Sequence, residues 1–170
     1  MNEYDRQLFT KVFKQREQHP AIPFARLLSR SGEGLLHVLI PLAVWELQLP
    51  TLDELVSLLL LSLVLERSLH WTLKNTLKRP RPQNSIPGLR CLTNASNQFS
   101  FPSGHSSRAF LLATVLAVVY GGTTSAIYLW AAGVGLSRVL LGVHYPGDVL
   151  AGAIIGSCTA LSSYMLLGLI

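Results

Sequence analysis

Charged residues are scarce in this 170-residue sequence: only 14% are Asp, Glu, Lys or Arg, whereas 49% are hydrophobic. A soluble domain of this size usually carries charge on about a quarter of its residues. The mean hydropathy of +0.39 agrees with this deficit. The composition therefore argues against an ordinary soluble domain and indicates a protein whose surface meets lipid.

Cysteines and metal-ligand patterns are also sparse. There are two cysteines, Cys91 in a polar stretch and Cys158 in an apolar run, so a disulfide between them is not expected. The first thirty residues lack the uninterrupted apolar core of a cleaved signal peptide. No carboxylate, His or Cys cluster has the spacing of a metal site, so we expect neither a metal ion nor another cofactor.

What is present in excess is positive charge. Fourteen Lys and Arg residues against nine Asp and Glu give a net charge of +5. Such a balance fits nucleic acid, anionic lipid or a phosphorylated substrate. The basic residues lie beside or between apolar runs and not on a polar surface with interleaved aromatics, which disfavours nucleic acid. The expected partners are therefore a bilayer and a phosphorylated ligand, and the oligomeric state stays open.

Five apolar stretches cover most of the chain, at about 34–49, 52–77, 106–120, 125–141 and 149–170. A helix needs about 20 residues to cross a bilayer, and open strands cannot cross it. The first and third stretches are shorter than this. We predict an all-α integral-membrane bundle of about five transmembrane helices, in which Gly152 and Gly156 allow close helix packing.

The N-terminal segment, residues 1–31, has a different character. Leu8, Phe9 and Val12 recur at helical spacing, whereas Arg6 and Lys11 occupy other faces. Such an amphipathic segment can lie flat on lipid headgroups or pack against the rest of the protein, and the sequence leaves both open. We expect one domain over 1–170, with an interfacial segment at 1–31 and a transmembrane catalytic core at 32–170.

The first candidate motif follows the second apolar stretch. Lys74 and Arg81 are seven residues apart, which is two helical turns, and both face one side if the helix persists. Alternatively, Pro80 bends the chain and brings Arg81 round, which we favour. Two fixed cations beside a membrane boundary suit a phosphate. Alone, the same residues are more typical of cations that reach the headgroups from a helix end.

The second motif precedes the third apolar stretch. Ser103 is a good N-cap, Gly104 lets an anion approach the backbone, and His105 stands in the first turn. A helix N-terminus presents free N–H groups and a positive dipole end to a phosphate. A capped helix start with an incidental histidine is an equally good interpretation of this motif alone.

The third motif connects the fourth and fifth stretches. Arg138 is another cation at a helix end, and His144 lies four residues before Asp148. If Pro146 opens the fifth helix, Asp148 can accept a hydrogen bond from one ring nitrogen of His144 and leave the other as a nucleophile. Alternating helix directions bring all three motifs to one membrane face. Ionisable residues gathered there indicate a functional site.

With these residues in view, the chain resembles the type 2 phosphatidic acid phosphatase family, which is related to bacterial non-specific acid phosphatases and vanadium haloperoxidases. That family's signature is Lys, six residues, Arg-Pro; then Pro-Ser-Gly-His; then Ser-Arg, five residues, His, three residues, Asp. The matching residues are Lys74, Arg81, Pro82, Pro102, Ser103, Gly104, His105, Ser137, Arg138, His144 and Asp148.

The resemblance implies a metal-independent phosphatase. It implies that His144 attacks phosphorus and forms a phosphohistidine, that Asp148 orients it, and that His105 protonates the leaving alkoxide and then activates water. It further implies that the phosphate oxygens are held by Lys74, Arg81, Ser103, Gly104 and Arg138. Many relatives have six membrane helices, and here the amphipathic segment stands in place of the first.

The substrate implied by the resemblance is a lipid phosphate or diphosphate: phosphatidate, phosphatidylglycerophosphate, an isoprenoid (di)phosphate such as undecaprenyl diphosphate, or lipid A. Two alternatives stay open, phosphotransfer from one lipid to another and a non-catalytic phospholipid-binding membrane protein. Haloperoxidase activity is not expected, because those relatives are soluble and much larger.

The resemblance also places the site on the outer, periplasmic face of a bacterial cytoplasmic membrane. The positive-inside rule predicts the opposite face. This prediction rests on the group of basic residues before the first apolar stretch: Arg6, Lys11, Lys14, Arg16, Arg26 and Arg30.

Overall fold

The computed structural model describes residues 3–14, 21–89, 91–93, 98–124 and 126–169. Within these ranges the chain is helical, and no strand occurs; Pro80 and Phe99 form an isolated antiparallel bridge. The helices are α1 (Glu3–Lys14), α2 (Ile22–Ser31), α3 (Leu36–Glu46), α4 (Leu52–Leu77), α5 (Pro82–Ser85), α6 (Gly104–Tyr120), α7 (Ala126–Leu140) and α8 (Pro146–Leu166), with a 3-10 turn at Gly122–Thr124. The all-α prediction is confirmed.

Helix boundaries follow local signals in the sequence. The Ser103 hydroxyl accepts a backbone N–H of the first turn of α6, and α6 ends at Gly121, whose φ of 78° favours glycine. Pro146 occupies the first turn of α8, where a missing N–H is harmless. Asp53 and Glu54 lie in the first turn of α4, where negative charge is stabilised by the helix dipole.

The bend after α4 does not begin at Pro80, as the sequence predicted. The helix already stops at Leu77, because Lys78 adopts a left-handed conformation with φ 45° and its N–H bonds the Lys74 carbonyl at 3.3 Å. Pro80 follows outside the helix. The turn that brings Arg81 back toward the bundle therefore begins at Lys78.

Helix α6 lies at the centre of the bundle and packs against α4, α7 and α8. Two glycines of α8 make the closest contact. A Cβ atom on Gly156 would lie 1.9 Å from the Ser107 carbonyl oxygen, and one on Gly152 would lie 2.5 Å from the Ser103 carbonyl oxygen. The two backbones therefore touch, which confirms the packing role predicted for this glycine pair.

The outward faces of the helices are apolar. Val38, Leu60, Leu129 and Leu150, on four different helices, are between 59% and 77% exposed. Apolar surface on this scale marks contact with another protein or with a membrane. Among the described helices, α8 is long and apolar enough to span a bilayer alone, and α2 with α3, bent by 61° at their junction, could form a second span. The other predicted crossings stay a prediction.

Helix α1 packs against the rest of the protein, which was one of the two open alternatives. Phe9 is fully buried and meets the Tyr145 ring edge-on, with centroids 5.5 Å apart. Helix α2 packs along α7 and buries Ala25 and Ser29. Both N-terminal helices therefore contribute contacts close to the third motif.

Candidate active site

The three motifs meet in one small cavity, where α4 and α7 end and α6 and α8 begin. The cavity has a volume of about 60 Å³, which is room for a few water molecules or a small anion. Six of the eight predicted site residues line it: Lys74, Arg81, Gly104, His105, Arg138 and His144. Ser103 and Asp148 are fully buried behind its wall.

His144 lies in the loop between α7 and α8 and is 2% exposed. Its Nε2 atom is 3.5 Å from a guanidinium nitrogen of Arg81, and its Nδ1 atom is 3.6 Å from Oδ2 of Asp148. Burial lowers the pKa of His144 to about 4, although the Asp148 carboxylate acts in the opposite direction. The imidazole is therefore neutral at neutral pH, and Nε2 is its nitrogen on the side of the cations.

Asp148 does not make the hydrogen bond to His144 that the spacing predicts, because 3.6 Å is too long for one. Its Oδ2 atom accepts the backbone N–H of Tyr145 at 2.9 Å, and its Oδ1 atom accepts Nη1 of Arg79 at 2.8 Å. Within the described residues, Nδ1 of His144 has no hydrogen-bond partner. The carboxylate is thus fixed in place beside the imidazole. A shift of less than about 1 Å would bring the two groups within hydrogen-bond distance.

Arg79 and Asp5 form a support behind Asp148 that sequence reasoning missed. The second guanidinium nitrogen of Arg79 donates to Oδ2 of Asp5 at 2.6 Å, and Oδ1 of Asp5 accepts the N–H of Gly147 at 2.9 Å. The guanidinium also stacks over the Tyr145 ring, 4.3 Å from its centroid. Helix α1 is therefore bound to the first turn of α8 by charge-assisted hydrogen bonds.

Each motif cation is held by a different element. Arg81, 2% exposed, donates to the Val143 carbonyl at 2.8 Å. Burial lowers the pKa of Arg81, but an arginine stays charged at physiological pH. Arg138 donates to the Ser29 hydroxyl of α2, and the Lys74 ammonium lies 3.4 Å from Nε2 of His70. Three segments of the chain, two helices and the connection after α4, thus place positive charges around one small space.

The start of α6 places its three predicted residues differently. The Ser103 hydroxyl accepts from the hydroxyl of Ser106 at 2.9 Å and caps the helix, so it faces the helix start and not the cavity. Gly104 lies against the His70 ring, where an added Cβ would be 3.1 Å from Cε1. His105 lines the cavity, and its Nε2 atom is buried with no hydrogen-bond partner in the described part of the chain.

Four further residues line the cavity: Glu66, Arg67, His70 and Arg108. Glu66, His70 and Lys74 are spaced by one helical turn and are all buried on one face of α4. Nδ1 of His70 lies 3.7 Å from a carboxylate oxygen of Glu66. The sequence did carry a signal for this group, because ionisable residues inside an apolar helix indicate a functional site.

The charges in this cavity suit one kind of ligand. Within the described ranges, no group of three or more His, Cys, Asp or Glu side chains is placed to hold a metal ion. The lining instead combines arginine and lysine side chains with imidazoles. A neutral imidazole beside fixed cations can attack an electrophilic phosphorus whose oxygens the cations hold.

Comparison with known proteins places this geometry in a family. The family model of the PAP2 superfamily matches residues 55–168. A lipid A 4'-phosphatase of Bacteroides thetaiotaomicron is 39% identical over 84 residues, which are 47% of this chain and 37% of that protein. A decaprenylphosphoryl-5-phosphoribose phosphatase of Mycobacterium tuberculosis is 32% identical over 85 residues, 50% of this chain and 46% of that protein. The matches thus span less than half the length of these curated relatives.

Two crystal structures are similar over almost the whole chain. Aquifex aeolicus LpxE is 31% identical, with a TM-score of 0.77 over 94% of this chain and 93% of that one. A transmembrane PAP2 type phosphatidylglycerolphosphate phosphatase from Bacillus subtilis is 24% identical and shares the fold, with a TM-score of 0.77 over 98% of this chain and 86% of that one. The family resemblance inferred from the motifs is confirmed, and this chain belongs to the PAP2 superfamily.

Proposed function

We propose that this chain is a membrane lipid phosphatase that hydrolyses a phosphomonoester or diphosphate of a lipid through a phosphohistidine. The observation that carries the proposal is the position of His144: Nε2 lies beside Arg81 in a cavity that Lys74 and Arg138 also line. Several relatives are named as phosphatases of lipids, which supports a lipid as the carrier of the phosphate.

In the first step, Nε2 of His144 attacks phosphorus, and an N–P bond forms as the P–O bond to the lipid breaks. His105 gives its proton to the departing oxygen. Lys74, Arg81 and Arg138 hold the three equatorial oxygens, whose charge redistributes in the transition state. The Gly104 amide at the start of α6 adds a backbone donor, and Ser103 acts indirectly by capping that helix.

In the second step, His105 takes a proton from water, and the water oxygen attacks the phosphohistidine. The N–P bond breaks, inorganic phosphate leaves, and His144 returns to its neutral state. Asp148 stabilises the positive charge that develops on His144 during its attack and that the phosphohistidine carries until the N–P bond breaks. Hydrogen bonds of this kind are often long before a substrate binds, so the 3.6 Å separation from Nδ1 suits a bond that forms on binding.

The reaction is proposed to need no metal ion, because fixed cations already supply positive charge at the phosphate site. A chelator should leave turnover unchanged, and vanadate should inhibit as a mimic of five-coordinate phosphorus. Activity that disappears with chelator and returns with a divalent metal would contradict this part of the proposal.

The decisive experiment compares two histidine variants with a labelled aryl phosphate, whose good leaving group does not need an acid. We expect His144→Ala to lose at least about 10⁴-fold in kcat and to trap no label. His105→Ala should still form the phosphoenzyme and accumulate it, because the attack of water is slowed by about 10² to 10⁴-fold. A His144→Ala protein that turns over at a near wild-type rate would refute the mechanism.

The substrate range is tested separately, with purified protein in detergent and a panel of lipid phosphates. Release of phosphate from at least one of phosphatidate, phosphatidylglycerophosphate, polyprenyl diphosphate or lipid A is expected. Adding a lipid alcohol tests the phosphotransferase alternative, since label would then move to the alcohol and not to water.

We also propose that about five helices cross a bacterial cytoplasmic membrane and that the cavity opens on its outer face. The outward apolar residues of α3, α4, α7 and α8 support embedding in lipid. For the outer face the support is the family resemblance, whereas the basic residues of α1 and α2 favour the cytoplasmic face.

Cysteine labelling distinguishes the two faces. The loop on the cavity side contains Asn94, which lies outside the described residues, and Gln98, which is exposed. A single cysteine at Gln98, in a background with Cys91→Ser and Cys158→Ser, should react with an impermeant reagent in intact spheroplasts. Reaction only after lysis would place the cavity in the cytoplasm.

A further inference from the structure

The cavity contains more positive charge than the three motifs supply. Arg67 of α4 and Arg108 of α6 line it beside the motif cations. Neither has a carboxylate at ion-pairing distance in the described part of the chain. Glu66 lines the same space, but its close contact is His70, at 3.7 Å. Two arginines therefore face the cavity without a salt bridge in the described part of the chain, and they share the field of one nearby carboxylate, Glu66.

Arg108 is held by backbone carbonyls. Its Nε atom donates to the Gly104 carbonyl at 3.2 Å, and its Nη1 atom donates to the Glu33 carbonyl at 3.4 Å. The first bond folds the side chain back toward the start of α6, where His105 stands. Carbonyl groups orient a guanidinium but leave its full positive charge, so Arg108 is a preorganised cation next to the phosphate cavity.

Arg67 is exposed on the outside of α4, seven residues before Lys74 on the same face. Two helical turns separate them by about 10 Å along the axis. The neighbouring Val64 and Trp71 are 62% and 68% exposed and apolar. In a membrane, an arginine among lipid-facing apolar side chains requires a counter-charge. Glu66 is the one carboxylate in this lining, beside five basic residues, so an anionic group of a ligand can balance the positive charge that remains.

An apolar groove continues from these two arginines. It has a volume of about 470 Å³ and shares Glu66, Arg67 and Arg108 with the phosphate cavity. Its other lining includes Leu60, Leu63 and Val64 of α4. Followed inward along α4 from its C-terminal end, the surface thus presents the phosphate cavity, then a pair of cations, then an apolar wall.

We propose that Arg67 and Arg108 form a second anion subsite for a phosphate group that lies between the scissile phosphate and the hydrocarbon chain of the substrate. The inference rests on the proposed phosphatase function and narrows it to lipids with two phosphate groups in series. The terminal phosphate binds at His144, the inner phosphate binds between the two arginines, and the chain lies along Leu60, Leu63 and Val64. A diphosphate and a phosphomonoester linked through a short alcohol to a phosphodiester share this chemistry.

The test measures kcat/KM for two matched pairs of lipids: a polyprenyl diphosphate against its monophosphate, and phosphatidylglycerophosphate against phosphatidate. Wild type should prefer the lipid with two phosphates by about tenfold or more in at least one pair. Arg67→Gln and Arg108→Gln should each lower kcat/KM for that lipid about tenfold and change the single-phosphate partner by less than about threefold. Arg26→Gln is the matched control, since Arg26 is exposed on α2 and does not line the cavity.

Each outcome either supports or overturns the second subsite. The pair of lipids that shows the preference identifies how far apart the two phosphates of the substrate lie. A wild-type ratio near one, or a loss shared equally by both lipids of a pair, would overturn the second subsite and leave the phosphatase intact. A wild type that hydrolyses lipid A but none of the four lipids would also overturn the second subsite, whereas one that hydrolyses neither these lipids nor lipid A would refute the proposed function. Because Arg67 is exposed, Arg67→Gln tests specificity without disturbing the fold, and Arg67→Lys should restore part of the preference.

Discussion

The two sides of the Asp148–His144 pair differ in how their charges are balanced. On the α1 side, the single cation Arg79 meets two carboxylates, Asp5 and Asp148, at hydrogen-bond distance. On the cavity side, the lining contains one carboxylate, Glu66, and five basic residues: Arg67, Lys74, Arg81, Arg108 and Arg138. Paired charges fix the positions of the side chains that carry them, whereas an excess of charge of one sign attracts a ligand of the opposite sign. The comparison divides the basic residues around the site into those that hold it and those that serve the substrate.

The largest effect that tests this division is expected at Arg81. Arg81→Gln removes a buried cation beside His144 and should lower kcat/KM by about 10³-fold, because it loses a donor to the transition state. Steady-state kinetics with the preferred lipid give the value. Lys78→Gln, an exposed residue of the same turn, should stay within about threefold of wild type. A decrease in kcat/KM of less than about tenfold would show that Arg81 holds the site together and does not bind the substrate.

Arg79 should matter less, and through kcat. Arg79→Gln leaves the Asp148 carboxylate with the Tyr145 N–H and takes away the cation that fixes its other oxygen. We expect a loss of about 10²-fold in kcat with little change in KM, since Arg79 does not line the cavity. Arg79→Lys should recover part of the rate. A rise in KM with an unchanged kcat would show that Arg79 contacts substrate, and the comparison would fail.

Asp5 should have a smaller effect that depends on Arg79. Asp5→Asn weakens the bond to Arg79 and the contact with the Gly147 N–H, so a loss of about tenfold or less is expected. In an Arg79→Gln background the same change should cost much less, because both act through Asp148. A double-mutant cycle in kcat measures this coupling. Additive effects would mean that Asp5 reaches the site by another route.

The smallest expected effect is a displacement of the acid limb of the pH profile. His144 must be neutral to attack, and its pKa is lowered by burial from 6.5 to about 4, so kcat/KM should fall only near pH 4. The Asp148 carboxylate raises this pKa and the Arg81 cation lowers it. Asp148→Asn should therefore move the limb to lower pH, and Arg81→Gln should move it to higher pH. Limbs that coincide in all three proteins would assign the titration to the substrate.

Most residues on the cavity side could be predicted from the sequence. Lys74, Arg81, His105, Arg138 and His144 were predicted to meet, because alternating helices bring their ends to one face, and the cavity contains them all. Spacing also placed Asp148 close to His144. It could not give the 3.6 Å separation, which depends on the competing Tyr145 and Arg79 donors.

The contacts on the α1 side could not be predicted from the sequence in the same way. Asp5 and Gly147 are 142 residues apart, and nothing in the local pattern of either segment indicates their hydrogen bond. Amphipathic spacing identified α1 but left open whether its apolar face meets lipid or protein. The burial of Phe9 against Tyr145 decides this, and it is a property of tertiary packing.

Arg67 and Arg108 represent an intermediate case. Their presence inside apolar helices was a visible signal, but no motif contained them. Only the structure shows that α4 and α6 bring them to the same cavity edge, next to the groove. The three motifs contain the residues that this chain shares with its family, whereas the proposed substrate preference depends on two arginines outside them.

The small volume of the phosphate cavity has a consequence for the end of the reaction cycle. Inorganic phosphate is about the size of the cleaved group, and it is proposed to leave from beside Lys74, Arg81 and Arg138 in a cavity of about 60 Å³. The departing lipid, an alcohol or a lipid monophosphate, keeps its hydrocarbon chain in the bilayer, whereas inorganic phosphate must leave through water against the attraction of these cations. We therefore expect release of inorganic phosphate to limit turnover, and free phosphate on the cavity side of the membrane to inhibit the reaction.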